Sequence, residues 1–239
     1  MDEETVAITE FQEHQSGFKH YMRDIILGVN DGLVSIYLLV AGIVGAGLTT
    51  NQIAVTAIAA TIAGAISMMA GEYISTKSQE EVYQAEIDLE KEHIKYYRDH
   101  EIGELYEMFT DLGFENDLLE KVVNVVSSND ETLLKVMLAL EFGIKENQRR
   151  SALKAMATVA VLFTLGSLPA TLPFFFANDP NAGLILASLL SMISLFTVGA
   201  LKTFMTRKSW VWSGAENLLI GVVGAIVSFY LGNLYGTLG

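Results

Sequence analysis

Three pairs of potential metal-binding side chains occur at helical spacing in the middle of this sequence. The pairs are Glu90 with His93, Glu101 with Glu104, and Met137 with Glu141. Residues three or four apart share one face of a helix. Carboxylate, imidazole and thioether groups together suit Fe²⁺, Mn²⁺ or Zn²⁺. The pattern predicts a multinuclear metal site, and its alternative is a solvated acidic surface on the same helices.

The Glu-x-x-His motif that begins at Glu90 is typical of di-iron helical bundles, in which it occurs twice. This chain contains only one such motif. Three nearby carboxylates, Glu86, Glu92 and Glu107, are competing candidates for the same metal-binding role. The spacing alone therefore does not decide which acidic residues bind the metal.

A second group of candidate residues lies in or next to segments that otherwise carry no charge. Asp31 is the one charged residue between positions 25 and 48, and Met68 and Glu72 share a helical face four residues apart. A carboxylate inside an apolar span costs several kcal/mol unless it faces a cavity, a partner or an ion. These three residues are predicted to line a transport pathway. The alternatives are an Asp31 near the membrane interface and a Met68 that only fills space.

The apolar and acidic residues of the chain are segregated. The 239 residues are 51% hydrophobic and 18% charged, yet the formal net charge is −13. Residues 72–146 hold 19 acidic and 7 basic residues, so most of the net charge belongs to this segment. The acidity excludes a basic nucleic-acid-binding protein. The absence of cysteine excludes a disulfide scaffold and thiolate sites.

Five segments with at most one charged residue are long enough to cross the ~30 Å hydrocarbon core of a bilayer. They are residues 25–48, 52–71, 155–178, 182–201 and 217–239. We expect an all-α polytopic membrane protein with five transmembrane helices and a helical cytosolic domain inserted between helices 2 and 3. The expected division is a cytosolic N-terminal segment (1–24), transmembrane helices 1–2 (25–76), a cytosolic metal-binding domain (77–150) and transmembrane helices 3–5 (151–239).

The basic residues predict the orientation. All 15 Lys and Arg fall in segments on one side of the five spans, and that side is expected to be cytosolic. The N-terminus and residues 77–150 are then cytosolic, and the C-terminus lies on the opposite side. The first 24 residues are polar and acidic, so we expect no signal peptide.

The turn-forming residues predict the helices of the acidic segment. No Gly or Pro occurs between Glu72 and Arg98, so the second span should continue as one helix of about 45 residues and about 70 Å. Gly103, Gly113 and the polar residues 127–130 should separate the helices that follow. These helices are expected at 100–112, 115–127 and 130–147.

Several stretches of this sequence resemble the vacuolar iron transporter family of divalent-metal/proton antiporters. The most specific are residues 23–33 (RDIILGVNDGL) and 64–73 (GAISMMAGEY), followed by 77–80 (KSQE) and 137–143 (MLALEFG). The resemblance covers roughly residues 17–239. It implies five spans, a cytosolic three-helix metal-binding domain, and a homodimer whose pathway lies at the subunit interface.

The resemblance also implies roles for individual positions. Asp31 and Met68 match transport residues of the first and second spans. The positions that match cytosolic metal ligands are Glu90, Glu101, Glu104, Met137 and Glu141. His93 stands where the family pattern often has Glu, which keeps a ligand but removes a negative charge.

These observations predict a transporter, not an enzyme, that exports Fe²⁺ from the cytosol in exchange for protons. Mn²⁺, Zn²⁺ and Co²⁺ are further candidate substrates. The expected partners are divalent metal ions, protons, the lipid bilayer and a second copy of the chain, with no nucleic acid. The expected location is the plasma membrane of a prokaryote or the vacuolar membrane of a eukaryote. The alternatives are a membrane-bound metal sensor or scaffold, and a membrane-anchored di-iron oxidase.

Overall fold

The computed structural model describes residues 16–143, 151–203 and 209–238, with side chains described from residue 25 onward. Every regular element in these ranges is a helix, which confirms the predicted all-α class. The elements are α1 (Ser16–Gly45), α2 (Thr50–Tyr96), α3 (Arg98–Asp111), α4 (Asn116–Ser127), α5 (Asp130–Leu140), α6 (Ala152–Thr171), a 3₁₀ turn (Leu172–Phe175), α7 (Pro180–Leu201) and α8 (Trp210–Gly236). Several basic residues used to predict the orientation lie outside the described residues, namely Arg149, Arg150, Arg207 and Lys208.

Five helical segments are long and apolar enough to cross a membrane, as predicted. They are Ile25–Gly45, Thr50–Tyr96, Ala152–Phe175, Pro180–Leu201 and Trp210–Gly236. Pro169 lies inside α6, and the 3₁₀ turn follows directly. A proline cannot donate a backbone hydrogen bond, so the prolines at this end account for the irregular termination of the third span.

Helix α2 is much longer than a bilayer requires. It runs without interruption for 47 residues, which is about 70 Å at 1.5 Å per residue. Only its first part is apolar, since residues 52–71 carry no charge and residues 72–96 carry many. The apolar part is the membrane-spanning portion, and the charged part continues the same helix into the acidic segment.

The chain divides into two compact units, one from residues 1–70 and 156–239 and the other from residues 71–155. In the first unit, α1 packs against α7 and α8, and α7 packs against α8. One face of α1 supplies much of the buried core, including Leu33, Ile36, Tyr37 and Val40. The Tyr37 hydroxyl donates a hydrogen bond to Ser188 Oγ at 3.1 Å, which satisfies a polar group within this apolar packing.

Small residues allow α1 and α6 to approach closely. A Cβ atom on Gly32 would overlap the carbonyl group of Phe163, and one on Gly166 would overlap the carbonyl group of Val29. Gly28, the other glycine of the Gly-x-x-x-Gly motif, faces Leu162 of α6. Such motifs let helix backbones come together in membranes. Here the motif is used for a contact within the chain.

The outer surface of the first unit is strongly apolar. Helix α8 alone exposes many large side chains, including Leu219, Ile220, Val223, Ile226 and Tyr230. A soluble protein rarely exposes so large a contiguous apolar patch, whereas lipid tails solvate such a surface. The burial pattern thus agrees with the length and composition of the five spans.

The second unit has its own hydrophobic core, formed by one face of each of its helices. Its buried members are Ile94, Leu105, Phe109, Val123, Val126, Leu133 and Met137. Asn129 caps α5, since its Oδ1 accepts hydrogen bonds from the backbone N–H groups of Glu131 and Thr132. The Arg98 guanidinium donates to Asp130 Oδ1 and to the Ser127 carbonyl oxygen, which ties the start of α3 to the α4–α5 turn.

Two boundaries differ from those predicted for this segment. Helix α5 ends at Leu140, not at residue 147, and residues 144–150 lie outside the described residues. Gly103 was expected to separate helices but lies inside α3, because the helical residues before and after it outweigh the modest penalty of one glycine. Gly113, with φ of 92°, does end α3 as predicted.

We expect Gly166→Ala to lower the melting temperature of the detergent-solubilised protein by several degrees, because the added methyl group overlaps the Val29 backbone. Overpacking of this kind costs about 1–3 kcal/mol. Gly71→Ala is the matched control, since no atom lies within 4 Å of its added Cβ and alanine favours helix. Equal melting temperatures for the two variants, measured by thermal unfolding, would contradict the close α1–α6 contact.

Candidate metal centre

The junction between α2 and α3 brings three predicted ligands together. Tyr97 alone separates the two helices, with φ of −129° and ψ of 34°. His93 Nδ1 lies 3.3 Å from Glu101 Oε1, and one ligand atom each from Glu90, His93 and Glu101 lie within 4.8 Å of one another. Opposite ligands of a first-row metal ion are about 4.2 Å apart, at about 2.1 Å per bond. A small movement of these side chains would accommodate one ion.

Both carboxylates of this group, Glu90 and Glu101, are removed from water. The relative exposure is 2% for Glu90 and 1% for Glu101. Glu90 Oε1 and Glu101 Oε2 are buried and have no hydrogen-bond partner among the described residues. Buried polar atoms normally have a partner, because an unpaired one loses its hydration without replacement. A cation between the two carboxylates would supply the missing interaction to both.

The surroundings of Glu90 disfavour its negative charge. Burial raises the pKa of Glu90 to about 8, and the carboxylates of Glu101, Glu141 and Glu104 act in the same direction. Partial loss of hydration likewise raises the pKa of Glu141, with the carboxylates of Glu104 and Glu101 adding to the effect. A bound divalent cation would favour the ionised forms and release the proton of Glu90. Metal affinity at this centre should therefore increase with pH.

Three further charged residues surround this group. Glu104 is half-buried, and its Oε1 lies 3.3 Å from His100 Nε2. Glu141 is exposed and follows the last residue of α5, and Glu86 is near enough to raise its pKa. The sequence left Glu86 as a competing candidate, and the structure brings it to the edge of the group.

Met137 lies in a different environment from Glu141, the carboxylate with which it was paired. Its side chain is completely buried and belongs to the hydrophobic cluster that includes Leu105, Phe109 and Leu133. The structure thus gives Met137 a clear packing role, while its predicted role as a metal ligand stays a prediction.

The predicted pathway residues lie on the first two helices. Asp31 is half-buried, and Ser35 Oγ donates a hydrogen bond to its Oδ1 at 3.3 Å. Met68 packs against the core of the first unit. Glu72 accepts a hydrogen bond from Thr76 Oγ1 at 3.1 Å. The participation of these three residues in a pathway stays a prediction.

Sequence reasoning did not single out Asn217, which forms polar contacts within the membrane-spanning helices. Its Nδ2 donates to Asn30 Oδ1 and to the carbonyl oxygen of Leu195, both at 2.8 Å. The available sequence signal was the position of this amide at the start of a long uncharged segment. A polar group within a membrane span requires a hydrogen-bond partner. The identity of those partners depends on helix packing, which the sequence alone does not reveal.

We expect Glu90→Gln to reduce the pH dependence of stability in the metal-free protein. The folded protein retains the Glu90 proton to about pH 8, whereas the unfolded chain loses it near its ordinary value of 4.5. The folded state therefore binds more protons between these values, and its stability falls as the pH rises through this interval. Glutamine is neutral throughout, so this part of the dependence disappears.

The measurement is thermal unfolding of the solubilised protein in a chelator at several pH values between 5 and 8. Glu92→Gln is the matched control, since Glu92 is an exposed carboxylate on the same helix. If both variants follow the pH dependence of the unmodified protein, the environment assigned to Glu90 is wrong.

Comparison with known proteins agrees with this architecture. The model of the VIT family matches residues 22–233. The chain is 31% identical to vacuolar iron transporter 1 of Tulipa gesneriana, over 91% of this chain and 90% of the relative. It is 30% identical to the vacuolar iron transporter of Centaurea cyanus, over 95% and 93%. It is also 26% identical to protein CCC1 of Saccharomyces cerevisiae, over 93% and 71%. Because these matches cover nearly the whole chain, the protein belongs to the VIT family.

Proposed function

We propose that this protein transports divalent iron across a membrane and that Asp31 carries the metal ion within the spans. Two relatives that cover nearly the whole chain are named as vacuolar iron transporters. The observation that carries the proposal is Asp31 itself, a carboxylate inside the apolar segment Ile25–Gly45. Among the described side chains its polar contact is a hydrogen bond from Ser35, which is weak compensation for a charge at this depth.

In this proposal, residues 77–150 form a cytosolic domain that collects metal ions. Its negative charge attracts cations within a Debye length of about 8 Å at physiological salt. Glu90, His93 and Glu101 bind the ion, with Glu104 and Glu141 at the edge and Met137 as a further candidate ligand. The orphaned oxygens of Glu90 and Glu101 support this assignment.

Proton antiport follows from the position of Asp31. A carboxylate in a low-dielectric span is stable when it holds either a metal ion or a proton, because either one removes the isolated charge. Exclusive occupancy by one or the other couples metal export from the cytosol to proton return. Met68 and Glu72 are the proposed neighbours along the pathway, and Mn²⁺ is a second proposed substrate because it shares most ligand preferences with Fe²⁺.

The proposed location is the vacuolar membrane, with residues 1–24 and 77–150 in the cytosol, and the proposed assembly is a homodimer. The names of the relatives support the location, and the one-sided distribution of Lys and Arg supports the orientation. A plasma-membrane location is the corresponding proposal for a prokaryotic host.

An oxidase or a metal sensor would use the centre differently. A di-iron oxidase needs ligands for two ions from paired Glu-x-x-His motifs, and the sequence contains one such motif. A sensor or scaffold gains nothing from a carboxylate in a span. Oxygen consumption on addition of Fe²⁺ would identify an oxidase, whereas a transporter moves Fe²⁺ without consuming oxygen stoichiometrically.

We expect Asp31→Asn to reduce the initial rate of Fe²⁺ uptake into proteoliposomes at least about tenfold, since even outer partners of metal sites contribute about 10–100-fold. Uptake is followed with an internal metal-sensitive dye, and a pH-sensitive dye records the proton flux under an imposed pH gradient. Asp179→Asn is the matched control, because Asp179 caps α7 and asparagine caps helices equally well. Normal uptake by Asp31→Asn would overturn the proposal.

Glu101→Gln should weaken metal binding by the complete solubilised protein at least about tenfold, because it removes one charged ligand of the buried group. Calorimetric titration with Mn²⁺, which resists oxidation, measures this affinity. Glu107→Gln is the control, since Glu107 is an exposed carboxylate on the same helix. Unchanged affinity in Glu101→Gln would contradict the proposed metal site and favour the alternative of a solvated acidic surface.

A further inference from the structure

Three transmembrane helices meet at one amide group. Asn217 of α8 donates through Nδ2 to Asn30 Oδ1 of α1 and to the backbone carbonyl oxygen of Leu195 in α7, both at 2.8 Å. Leu195 is completely buried. A polar group among apolar helices finds few replacement partners when such bonds are lost. We call Asn217, Asn30 and the Leu195 carbonyl group the amide clamp.

The helices around the clamp are held at short range. A Cβ atom on Gly199 would lie 2.6 Å from the Ser213 carbonyl oxygen and 2.8 Å from Asn217 Cβ. Because glycine occupies this position, α7 and α8 approach closely enough for the Asn217 side chain to reach the α7 backbone. The clamp therefore rests on a tight α7–α8 pair and extends from it to α1.

The position of Asn30 connects the clamp to the proposed transport residue. Asn30 precedes Asp31, so the two side chains leave α1 about 100° apart. Gly28 and Gly32 face α6. Viewed along the helix axis, this face of α1 lies about 160–200° from the direction of Asn30. Asp31 projects between these two contacts. The clamp on one side and α6 on the other thus restrain the rotation of α1 near Asp31, in addition to the core packing of Leu33, Ile36 and Tyr37 further along the helix.

We propose that Asn217 is a positioning residue that holds α1 in the rotation at which Asp31 binds the metal ion. The inference rests on the proposed function of Asp31. A rotation of about 10° moves a carboxylate roughly 6 Å from the helix axis by about 1 Å. A displacement of about 1 Å in a reacting group costs up to about 100-fold. A small rotation of α1 is therefore enough to change metal affinity in the pathway.

The surroundings of the clamp make a test feasible. A cavity of about 170 Å³ adjoins both asparagines, and the charged residues Lys202 and Glu216 also line it. Leucine has the same branched arrangement of side-chain heavy atoms as asparagine, and the cavity can accept its bulkier methyl groups. Asn217→Leu thus removes both hydrogen bonds without filling occupied space. Asn30→Leu removes only the bond to α1 and leaves α7 and α8 joined.

The test measures Fe²⁺ uptake into proteoliposomes as a function of Fe²⁺ concentration for Asn217→Leu, Asn30→Leu and the double variant. We expect KM for Fe²⁺ to rise about tenfold in each single variant, which is the lower part of the range for a misplaced group. The double variant should resemble Asn217→Leu, because both substitutions break the same connection. Asn233→Leu, an exposed position on α8, is the control and should leave KM unchanged.

A purely structural role would lower the amount of folded protein and the maximal rate per sample, with no change in KM. Size-exclusion chromatography and rates normalised to folded protein separate the two effects. An unchanged KM in both single variants, with Asp31→Asn inactive, overturns the positioning role alone. Normal uptake by Asp31→Asn overturns the proposed function as well. If Asn217→Leu does not fold, Asn30→Leu decides the question in the same way.

Discussion

The free energy of a carboxylate removed from water is the constraint on which the structure depends. Glu90 and Glu101 are almost completely buried, yet each retains an oxygen without a partner among the described residues. Asp31 lies inside an apolar span and accepts a hydrogen bond from Ser35. The contacts among the described residues do not replace the lost hydration of the Glu90 and Glu101 oxygens, and a cation between them would do so. Under the proposed function, a metal ion binds at such a site and then leaves it.

The acidic centre occupies positions that would ordinarily belong to the hydrophobic core. The buried residues of α3 are Glu101, Leu105 and Phe109, at a spacing of four. Glu90 precedes the buried Ile94 by the same spacing on α2. The carboxylates thus extend the apolar faces of two helices, and the packing that buries the core also dehydrates the site. The stability of this unit and its affinity for cations are linked for that reason.

Much of this architecture could be predicted from the sequence, because the strongest signals are local. Uncharged segments define the five spans, and the absence of Gly and Pro between Glu72 and Arg98 predicts the long helix α2. The grouping of Glu90, His93 and Glu101 also followed in part from their spacing. What could not be predicted depends on contacts between distant segments. The burial of Met137 and the bond between Asn217 and Asn30 are of this kind.

The two carboxylate sites differ in what holds them. Glu90 and Glu101 lie on helices that share a hydrophobic core, so their separation is fixed by many side chains at once. The direction of Asp31 is set by α1, which is held by the buried face of Leu33, Ile36 and Tyr37, by glycines against α6 and by one amide bonded to α7 and α1. A collecting site benefits from a fixed geometry, because preorganised ligands bind more tightly. A site that must release its ion benefits from a geometry that a small rotation can change. Under the proposed function, the almost complete burial of Glu90 and Glu101 favours binding in the acidic segment, and the partial exposure of Asp31 favours release within the spans.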